Sequence, residues 1–267
     1  MGYVREDSLI YMTEQALEDR DRRRLAVVDV YCADVMSLPA VQGVCLNSLV
    51  SGSLVETLSG CEEPGWTKVR LINGKEGYMR TQHLERKRFR EEYLWKDANE
   101  VEKMLETASS RAKTAMGGQD GFSLKKVLDQ WYGGSEEAFR DSLVEEAMKY
   151  MGVQYRWGGK SPRGIDCSGL ASMAYMRSGV LIYRDASIVD GFPVTRLSVS
   201  DALEGKLRKG DLLYFPGHVA IYMENGRFIH STARAGSGGV VVNSLRSSDP
   251  DCRPDLVECL YAAGGVR

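Results

Sequence analysis

The stretch YRWGGKSPRGIDCSGLASMAYMRSGV, residues 155–180, decides the fold of the C-terminal half of the chain. Its glycines and proline are typical of a constrained loop. Apolar residues at helical spacing follow, namely Leu170, Met173 and Ala174, and they predict a helix that begins at Cys167. A thiol at a helix N-terminus lies close to backbone N–H groups and the positive end of the helix dipole, which favour the thiolate. We therefore expect a lowered pKa for this thiol and a capacity for nucleophilic catalysis.

Two of the three histidines lie downstream in KGDLLYFPGHVAIYMENGRFIHS, residues 209–231. Side chains alternate along a strand, so His218 shares a face with Ala220. A two-residue turn would set His230 on the wrong side of the hairpin. A three-residue loop with a glycine bulge, residues 224–226, sets His230 opposite Ala220 and diagonal to His218. We predict the bulged hairpin, because only this register lets His230 orient the ring of His218.

Together these residues predict a thiol-dependent catalytic site. Cys167 attacks a carbonyl carbon, His218 takes the proton of the thiol, and His230 fixes the tautomer of His218. Asn243 competes with His230 as the third member, by analogy with Cys–His–Asn enzymes, but we interpret it as a structural strand residue. For Cys167 taken alone, the alternative is a small buried apolar side chain.

The motifs Y-x-W-G-G…D-C-S-G-L, G-D-L-L-Y-F…H-V-A-I-Y and F-I-H-S resemble the NlpC-type family of cell-wall cysteine peptidases, which have a papain-like fold. The resemblance covers about residues 143–245. It implies that Cys167 is the nucleophile, His218 the general base and His230 the orienting third member. No metal and no cofactor are expected.

The same resemblance implies the residues that surround the nucleophile. Tyr155 lines the site, and its hydroxyl joins the backbone N–H of Cys167 in an oxyanion hole. Asp166 and Ser168 flank the nucleophile and contact the peptide stem of the substrate.

The activity implied is hydrolysis of the amide bond between D-γ-glutamate and L-lysine or meso-diaminopimelate in peptidoglycan stem peptides, during murein-peptide recycling or cell-wall turnover. Two alternatives stay open. One is a non-catalytic protein that binds peptidoglycan fragments. The other is an amidase or acyltransferase that uses the same Cys–His–His site.

Short β-rich runs broken by turns occupy residues 25–84, with a tight turn at Asn73-Gly74. Their order resembles a bacterial Src-homology-3 (SH3b) domain, which Trp66 and Tyr78 fit. Family members with such a domain often act on free murein peptides, and an acidic residue and a tyrosine of the barrel hold the amine of the N-terminal L-alanine. Glu56 and Tyr78 are the candidates here.

We therefore expect an α+β protein with four segments. These are a charged N-terminal helical segment at 1–24, a small SH3-like β-barrel at 25–85, a mainly helical linker or insertion at 86–134, and a papain-like catalytic domain at 135–267 with a central antiparallel sheet packed on helices. A second, degenerate barrel is the alternative for the linker. At the start of the last segment Ser135 is expected to cap a helix that buries Phe139, Leu143, Ala147 and Met151.

Composition limits the possible partners. The 267 residues carry 35 Lys and Arg against 37 Asp and Glu, which disfavours nucleic-acid binding. No stretch reaches the ~18 apolar residues of a membrane span, and residues 1–24 lack the apolar core of a signal peptide. We expect a cytoplasmic protein, or a secreted or wall-associated one if a leader has been removed. The six cysteines have no metal-ligand spacing, so we expect buried free thiols and a reducing compartment.

Overall fold

The computed structural model describes residues 24–86, 122–200, 204 and 206–267, together with residues 13, 15, 16 and 19. The chain divides into two compact units, Met1–Lys87 and Arg88–Arg267. The helix predicted within residues 1–24 falls almost wholly outside the described residues. So does most of the predicted linker, together with its second-barrel alternative. Within the described part, no helix is both long and apolar enough to cross a bilayer.

The first unit contains a seven-stranded antiparallel sheet in the order β3-β2-β6-β5-β4-β1-β7. Its strands are β1 (Leu25–Val28), β2 (Cys32–Met36), β3 (Cys45–Val50), β4 (Leu54–Leu58), β5 (Trp66–Arg70), β6 (Glu76–Arg80) and β7 (Leu84–Arg86). A 3₁₀ turn at Thr81–His83 precedes β7. The apolar side chains of the sheet form a small core that includes Val28, Val35, Val55, Val69 and Met79.

The closed barrel expected for residues 25–85 is not confirmed. The ladder leaves β3 and β7 at its two edges, and among the described strands nothing pairs these edges with each other. The predicted hairpin at Asn73-Gly74 is present between β5 and β6. Gly74 has a φ of 80°, a left-handed conformation that glycine adopts without strain, and the N–H of Leu71 donates to the carbonyl of Lys75 at 2.8 Å.

The second unit is α+β. Its helices are α1 (Leu124–Trp131), α2 (Glu136–Met148), α3 (Cys167–Arg177) and α4 (Pro254–Cys259). A six-stranded antiparallel sheet has the order β10-β15-β11-β12-β13-β14, and β8 and β9 form a separate short hairpin. The strands are β8 (Lys160–Ser161), β9 (Gly164–Ile165), β10 (Val194–Leu197), β11 (Leu212–Phe215), β12 (His218–Glu224), β13 (Arg227–Ser231), β14 (Val240–Ser244) and β15 (Ala262–Val266).

This sheet has a core on each face because side chains alternate along its strands. The larger core lies between the sheet and α1, α2 and α3, and includes Leu212, Ile221 and Ile229. The smaller core covers the other face with Leu213 and Phe228 and is closed by α4. The expected central antiparallel sheet packed on helices is therefore present.

The predicted cap of α2 is confirmed, since the Ser135 hydroxyl accepts a hydrogen bond from the N–H of Ala138 at 3.1 Å. Phe139, Leu143 and Ala147 are fully buried as expected. The prediction for Met151 is wrong. Its side chain is 43% exposed because the helix ends at Met148 and the next residues turn away from the helical spacing.

The cysteines also differ from expectation. All six are free thiols, but Cys167 alone among them is buried. Cys32 and Cys45 are exposed on β2 and β3. Cys32 lies on the outward side of β2, whose residues alternate in burial, whereas the first four residues of β3, Cys45 to Ser48, are all exposed.

A buried carboxylate joins distant parts of the second unit. Asp211, with no solvent exposure, accepts hydrogen bonds from the guanidinium of Arg267 at 2.7 and 2.8 Å and from Arg140 at 3.1 Å. It also accepts one from the backbone N–H of Arg208 at 2.9 Å. These contacts connect α2 and the segment after β15 to the start of β11, beside the central strands of the sheet.

We expect Asp211→Ala to lower the free energy of unfolding by about 3–5 kcal/mol, because it removes the buried carboxylate that pairs with the guanidinium groups of both Arg140 and Arg267, while Arg140 keeps its ion pair with Glu136. Asp129 is the matched control, since it pairs with Lys125 on the exposed surface of α1. Asp129→Ala is expected to change stability by less than about 0.5 kcal/mol. Urea unfolding of the full chain measures the free energy of unfolding of both variants. Equal losses in the two variants would contradict the stabilising contribution assigned to buried Asp211.

Candidate active site

Cys167 is the first residue of α3, as predicted. Asp166 caps the helix, and one of its carboxylate oxygens accepts a hydrogen bond from the N–H of Gly169 at 2.6 Å. The other oxygen accepts one from the N–H of Gly158 at 2.8 Å, in the loop that precedes the helix. The Asp166 carboxylate thus fixes the start of the helix and the loop beside it at the same time, and thereby positions the thiol.

The loop lies against the first turn of α3 so closely that two glycines are needed. A Cβ on Gly169 would lie 2.2 Å from the carbonyl oxygen of Gly159, and one on Gly159 would lie 2.3 Å from the carbonyl oxygen of Gly164. Any side chain at these two positions would displace backbone. Gly159 of the WGG motif and Gly169 of the CSG motif are therefore required for the packing next to Cys167.

The two histidines lie on adjacent strands in the predicted register. Ile221 pairs with Ile229, which places His230 opposite Ala220. The register is produced by a bulge within β12 and not by the predicted three-residue loop. Glu224 pairs with Arg227 across a two-residue turn at Asn225-Gly226, and the extra residue is Met223 within β12. Asn225 and Gly226 both have positive φ, 54° and 80°, as a tight primed turn requires.

A chain of hydrogen bonds links three side chains on β12, β13 and β14. Nε2 of His218 lies 2.7 Å from Nδ1 of His230, and Nε2 of His230 lies 2.9 Å from Oδ1 of Asn243. His230 thus lies between the other two. Asn243, interpreted from the sequence as a structural strand residue, contacts the site through His230 and does not replace it beside His218.

The strand that carries His230 is hydrogen-bonded to the segment that precedes Cys167. The hydroxyl of Ser231, which follows His230 and is fully buried, donates to the carbonyl of Ile165 at 2.7 Å. Ile165 stands two residues before Cys167. Helix α3 also packs directly against β12 and β13. These contacts hold the thiol and the histidine pair in one rigid framework.

The electrostatic environment of the thiol differs from the sequence-based expectation. Burial raises the pKa of Cys167, and the negative charge of Asp166 adds to the rise. Hydrogen bonds from the backbone N–H groups of Val219, Ser168 and Cys167 itself act in the opposite direction but do not prevail. The expected lowering of the pKa by the helix N-terminus is therefore wrong for the free protein, because loss of hydration outweighs the helix dipole.

His218 and His230 are neutral at physiological pH. Burial lowers the pKa of His218 to about 3, helped by His230 and by the cation of Arg253. Burial likewise lowers the pKa of His230 to about 4, although the hydrogen bond to Asn243 opposes this change. A neutral imidazole can accept a proton, so His218 is in the state that a general base needs.

The other expected site residues surround the thiol. Burial raises the pKa of Tyr155, and the nearby charges of Cys167 and Asp166 raise it further, so its phenol stays protonated and can donate. A cation that the sequence did not single out, Arg184, donates to the Ser168 hydroxyl at 2.7 Å and to the Asp166 carboxylate at 3.0 Å. Arg184 lies in an irregular segment without periodicity, so no sequence signal pointed to it.

Glu56 and Tyr78 belong to the first unit and share one face of its sheet. The Glu56 carboxylate accepts from Arg70 at 3.3 Å, and Arg70 also pairs with Glu76 at 2.7 Å. Tyr78 on β6 stands opposite Lys68 on β5. Their suggested contact with a substrate amine stays a prediction.

The two buried histidines predict a loss of stability in acid. A histidine in the unfolded chain titrates near pH 6.5, so below that pH the unfolded state takes up protons that the folded state does not. From about pH 6.5 to about pH 5 each histidine should cost about 2 kcal/mol of unfolding free energy. Urea unfolding of the wild type and of His230→Gln measures the difference. An unchanged slope in His230→Gln would refute the assignment.

Comparisons with known proteins place this geometry in a family. The sequence profile of the NlpC/P60 family matches residues 152–251, which include all three members of the Cys–His–His set. Dipeptidyl-peptidase 6 of Lysinibacillus sphaericus is 35% identical over 236 residues, which make up 88% of this chain and 69% of that protein. The gamma-D-glutamyl-L-lysine dipeptidyl-peptidase of Bacillus cereus is 35% identical over 99 residues, 34% of this chain and 28% of that protein.

Among solved structures, an NlpC/P60 family protein from Bacillus cereus superposes with a TM-score of 0.59 at 21% identity, over 98% of this chain and 68% of that one. This similarity concerns the fold. With the profile match and the long alignment to the Lysinibacillus protein, it leads to one conclusion: the chain belongs to the NlpC/P60 family.

Proposed function

We propose that this chain hydrolyses the amide bond between D-γ-glutamate and the L-diamino acid, lysine or meso-diaminopimelate, of peptidoglycan stem peptides, in murein-peptide recycling or cell-wall turnover. As a member of the NlpC/P60 family it is a cysteine-type hydrolase that acts on cell-wall peptides. The observation that carries the proposal is the 2.7 Å hydrogen bond between neutral His218 and His230. His218 lies on β12, and the N–H of the next residue on this strand, Val219, contacts the Cys167 sulfur.

The proposed reaction proceeds in two halves. The sulfur of Cys167 attacks the γ-carbonyl carbon of D-glutamate as the thiol proton passes to His218, and the negative charge moves to the carbonyl oxygen. His218 then gives this proton to the leaving amine of the diamino acid, and a thioester remains. A water molecule, deprotonated by His218, hydrolyses the thioester and restores the thiol.

Because burial holds the resting site as a thiol and neutral histidines, proton transfer accompanies the attack rather than preceding it. The oxyanion needs donors at the nucleophile. The backbone N–H of Cys167 and the protonated phenol of Tyr155 are the groups proposed for this function.

Arg184 is the residue that can recognise a negative charge on the substrate. A stem peptide joined through the γ-carbonyl of D-glutamate keeps a free α-carboxylate next to the scissile bond. The guanidinium of Arg184 lies against Ser168 and Asp166, the two neighbours of the nucleophile, and can pair with such a carboxylate. We propose that Arg184 and Ser168 hold this group, while Asp166 keeps the guanidinium in place.

For the first unit we propose an SH3b-like domain that holds the free amine of an N-terminal L-alanine through Glu56 and Tyr78. The alignment to the Lysinibacillus peptidase, 236 residues long, supports this, because it extends far beyond the second unit's family match. Glu56 offers a half-buried carboxylate on the polar face of the sheet.

The bond specificity is tested by mass spectrometry of L-Ala-γ-D-Glu-L-Lys and its diaminopimelate analogue, each with a free or an acetylated amine. Wild type should release the diamino acid from the free-amine peptides, Cys167→Ala should release none, and acetylation should slow cleavage. Cleavage by Cys167→Ala would overturn the assignment of the nucleophile. Intact peptides would overturn this bond specificity; a reactive Cys167 thiol would then indicate amidase or acyltransferase chemistry, and an inert one a binding protein.

The assignment of Arg184 is tested with a matched pair of substrates. In D-isoglutamine peptides an amide replaces the α-carboxylate, so the charge is lost with little change of shape. We expect Arg184→Gln to lower kcat/KM about 10- to 100-fold for the carboxylate peptide and much less for the amide peptide. Arg163→Gln, in the turn of the β8–β9 hairpin, is the control and should leave both values unchanged. An equal loss on both substrates would assign Arg184 to structure alone.

A further inference from the structure

The hydrogen-bond chain behind His218 continues past Asn243 to a backbone carbonyl. Nδ2 of Asn243 donates to the carbonyl oxygen of Asp251 at 3.0 Å. The same carbonyl accepts from the N–H of Ser244 at 3.2 Å, and Ser244 and Cys252 form a β-bridge. A carbonyl oxygen can only accept, so the orientation of the Asn243 amide is settled by the backbone.

The turn that supplies this carbonyl is held at several points. The Asp251 carboxylate pairs with Arg227 of β13 at 2.7 Å. The Ser244 hydroxyl donates to Asp249 at 2.6 Å, and the N–H of Arg253 donates to the carbonyl of Ser244 at 3.0 Å. The acceptor at the end of the chain is therefore fixed to β13 and β14, the two strands that carry His230 and Asn243.

The polarity of every bond in the chain follows from this fixed end. Because Nδ2 of Asn243 donates to the carbonyl, Oδ1 faces Nε2 of His230 and must accept a hydrogen bond from its N–H. A neutral imidazole carries one proton, so Nδ1 of His230 is bare and accepts from Nε2 of His218. Nδ1 of His218 is then bare as well, and it is the nitrogen left to accept the thiol proton.

We propose that Asn243 is a positioning residue which, anchored by the Asp251 carbonyl, selects the tautomer in which His218 can act as a base. Without the acceptor at Oδ1, His230 can move its proton to Nδ1, and His218 must then carry its proton on its own Nδ1. In that form His218 would offer a proton toward the thiol instead of accepting one. This inference rests on the proposed function, because it assigns His218 as the general base.

Nitrogen NMR of the histidine rings reads the tautomers directly, since bare and protonated ring nitrogens have well-separated shifts. The chain has three histidines, and His83→Gln identifies the third. In the wild type we expect Nδ1 bare and Nε2 protonated in both His218 and His230. In Asn243→Ala both tautomers should appear. In Asn243→Asp, whose carboxylate still accepts from His230, the wild-type pattern should return.

Kinetics provides the second readout. Asn243→Ala should lower kcat on the stem peptide about 10- to 100-fold with little change in KM, and Asn243→Asp should recover most of the loss. Ser248→Ala is the matched control, because it removes an exposed hydroxyl from the same turn without touching the hydrogen-bond chain, and it should leave kcat and the tautomers unchanged. If Asn243→Ala keeps the wild-type tautomers and kcat, the proposal is wrong.

Alkylation of Cys167 by iodoacetamide separates this proposal from the proposed function. Its rate depends on removal of the thiol proton and needs no substrate. A wild type that leaves the stem peptide intact, but whose Cys167 alkylation slows in Asn243→Ala and recovers in Asn243→Asp, refutes the bond specificity and retains the assignment of Asn243. Cleavage of the peptide by the wild type, with equal alkylation rates in all three proteins, supports the bond specificity and refutes the assignment of Asn243.

Discussion

Met223 adds one residue to β12 between the pairs Tyr222–Phe228 and Glu224–Arg227, and this bulge shifts the ladder between β12 and β13 by one position. A shift of one residue moves a side chain to the other face of a sheet. With the bulge, His230 shares a face with His218 and their ring nitrogens meet. Without it, the same sequence would form an equally regular hairpin with the two rings on opposite sides. The site therefore depends on a local irregularity that the tight Asn225-Gly226 turn holds in place.

Burial shifts the pKa values in this site in the direction opposite to the hydrogen bonds around Cys167 and His230, and burial has the larger effect. It raises the pKa of Cys167 and lowers the pKa of His218 and His230, so the free protein keeps these three side chains uncharged. Charge is instead concentrated beside the thiol, where Arg184 pairs with Asp166. This division suits an acyl transfer in which the thiol proton moves during the attack, while a fixed cation is available for an anionic substrate.

Much of this arrangement could be predicted from the sequence because it depends on local patterns. The start of α3 at Cys167 follows from helical spacing after a glycine-rich loop, and the histidine register follows from strand alternation. What failed depends on contacts between distant segments. The direction of the Cys167 pKa shift requires knowledge of how deeply the helix end is buried. Arg184 reaches the site from an irregular segment, and the contact of Asn243 with His230 depends on which strands are neighbours. The SH3-like β-barrel predicted for residues 25–85 is not confirmed for a similar reason, since spacing predicts strands but not whether the edge strands meet.

The position of β15 has a consequence for the order in which the protein assembles during synthesis. This strand lies between β10 and β11, yet the ribosome makes it after both of them and after the strands that carry the histidines. Until residues 262–266 emerge, β11 has an open edge, and Asp211 lacks its partner Arg267. The hairpin of β12 and β13 can form earlier, but its support cannot be complete. The sheet that supports Cys167, His218 and His230 is thus completed only after all three residues have been synthesised.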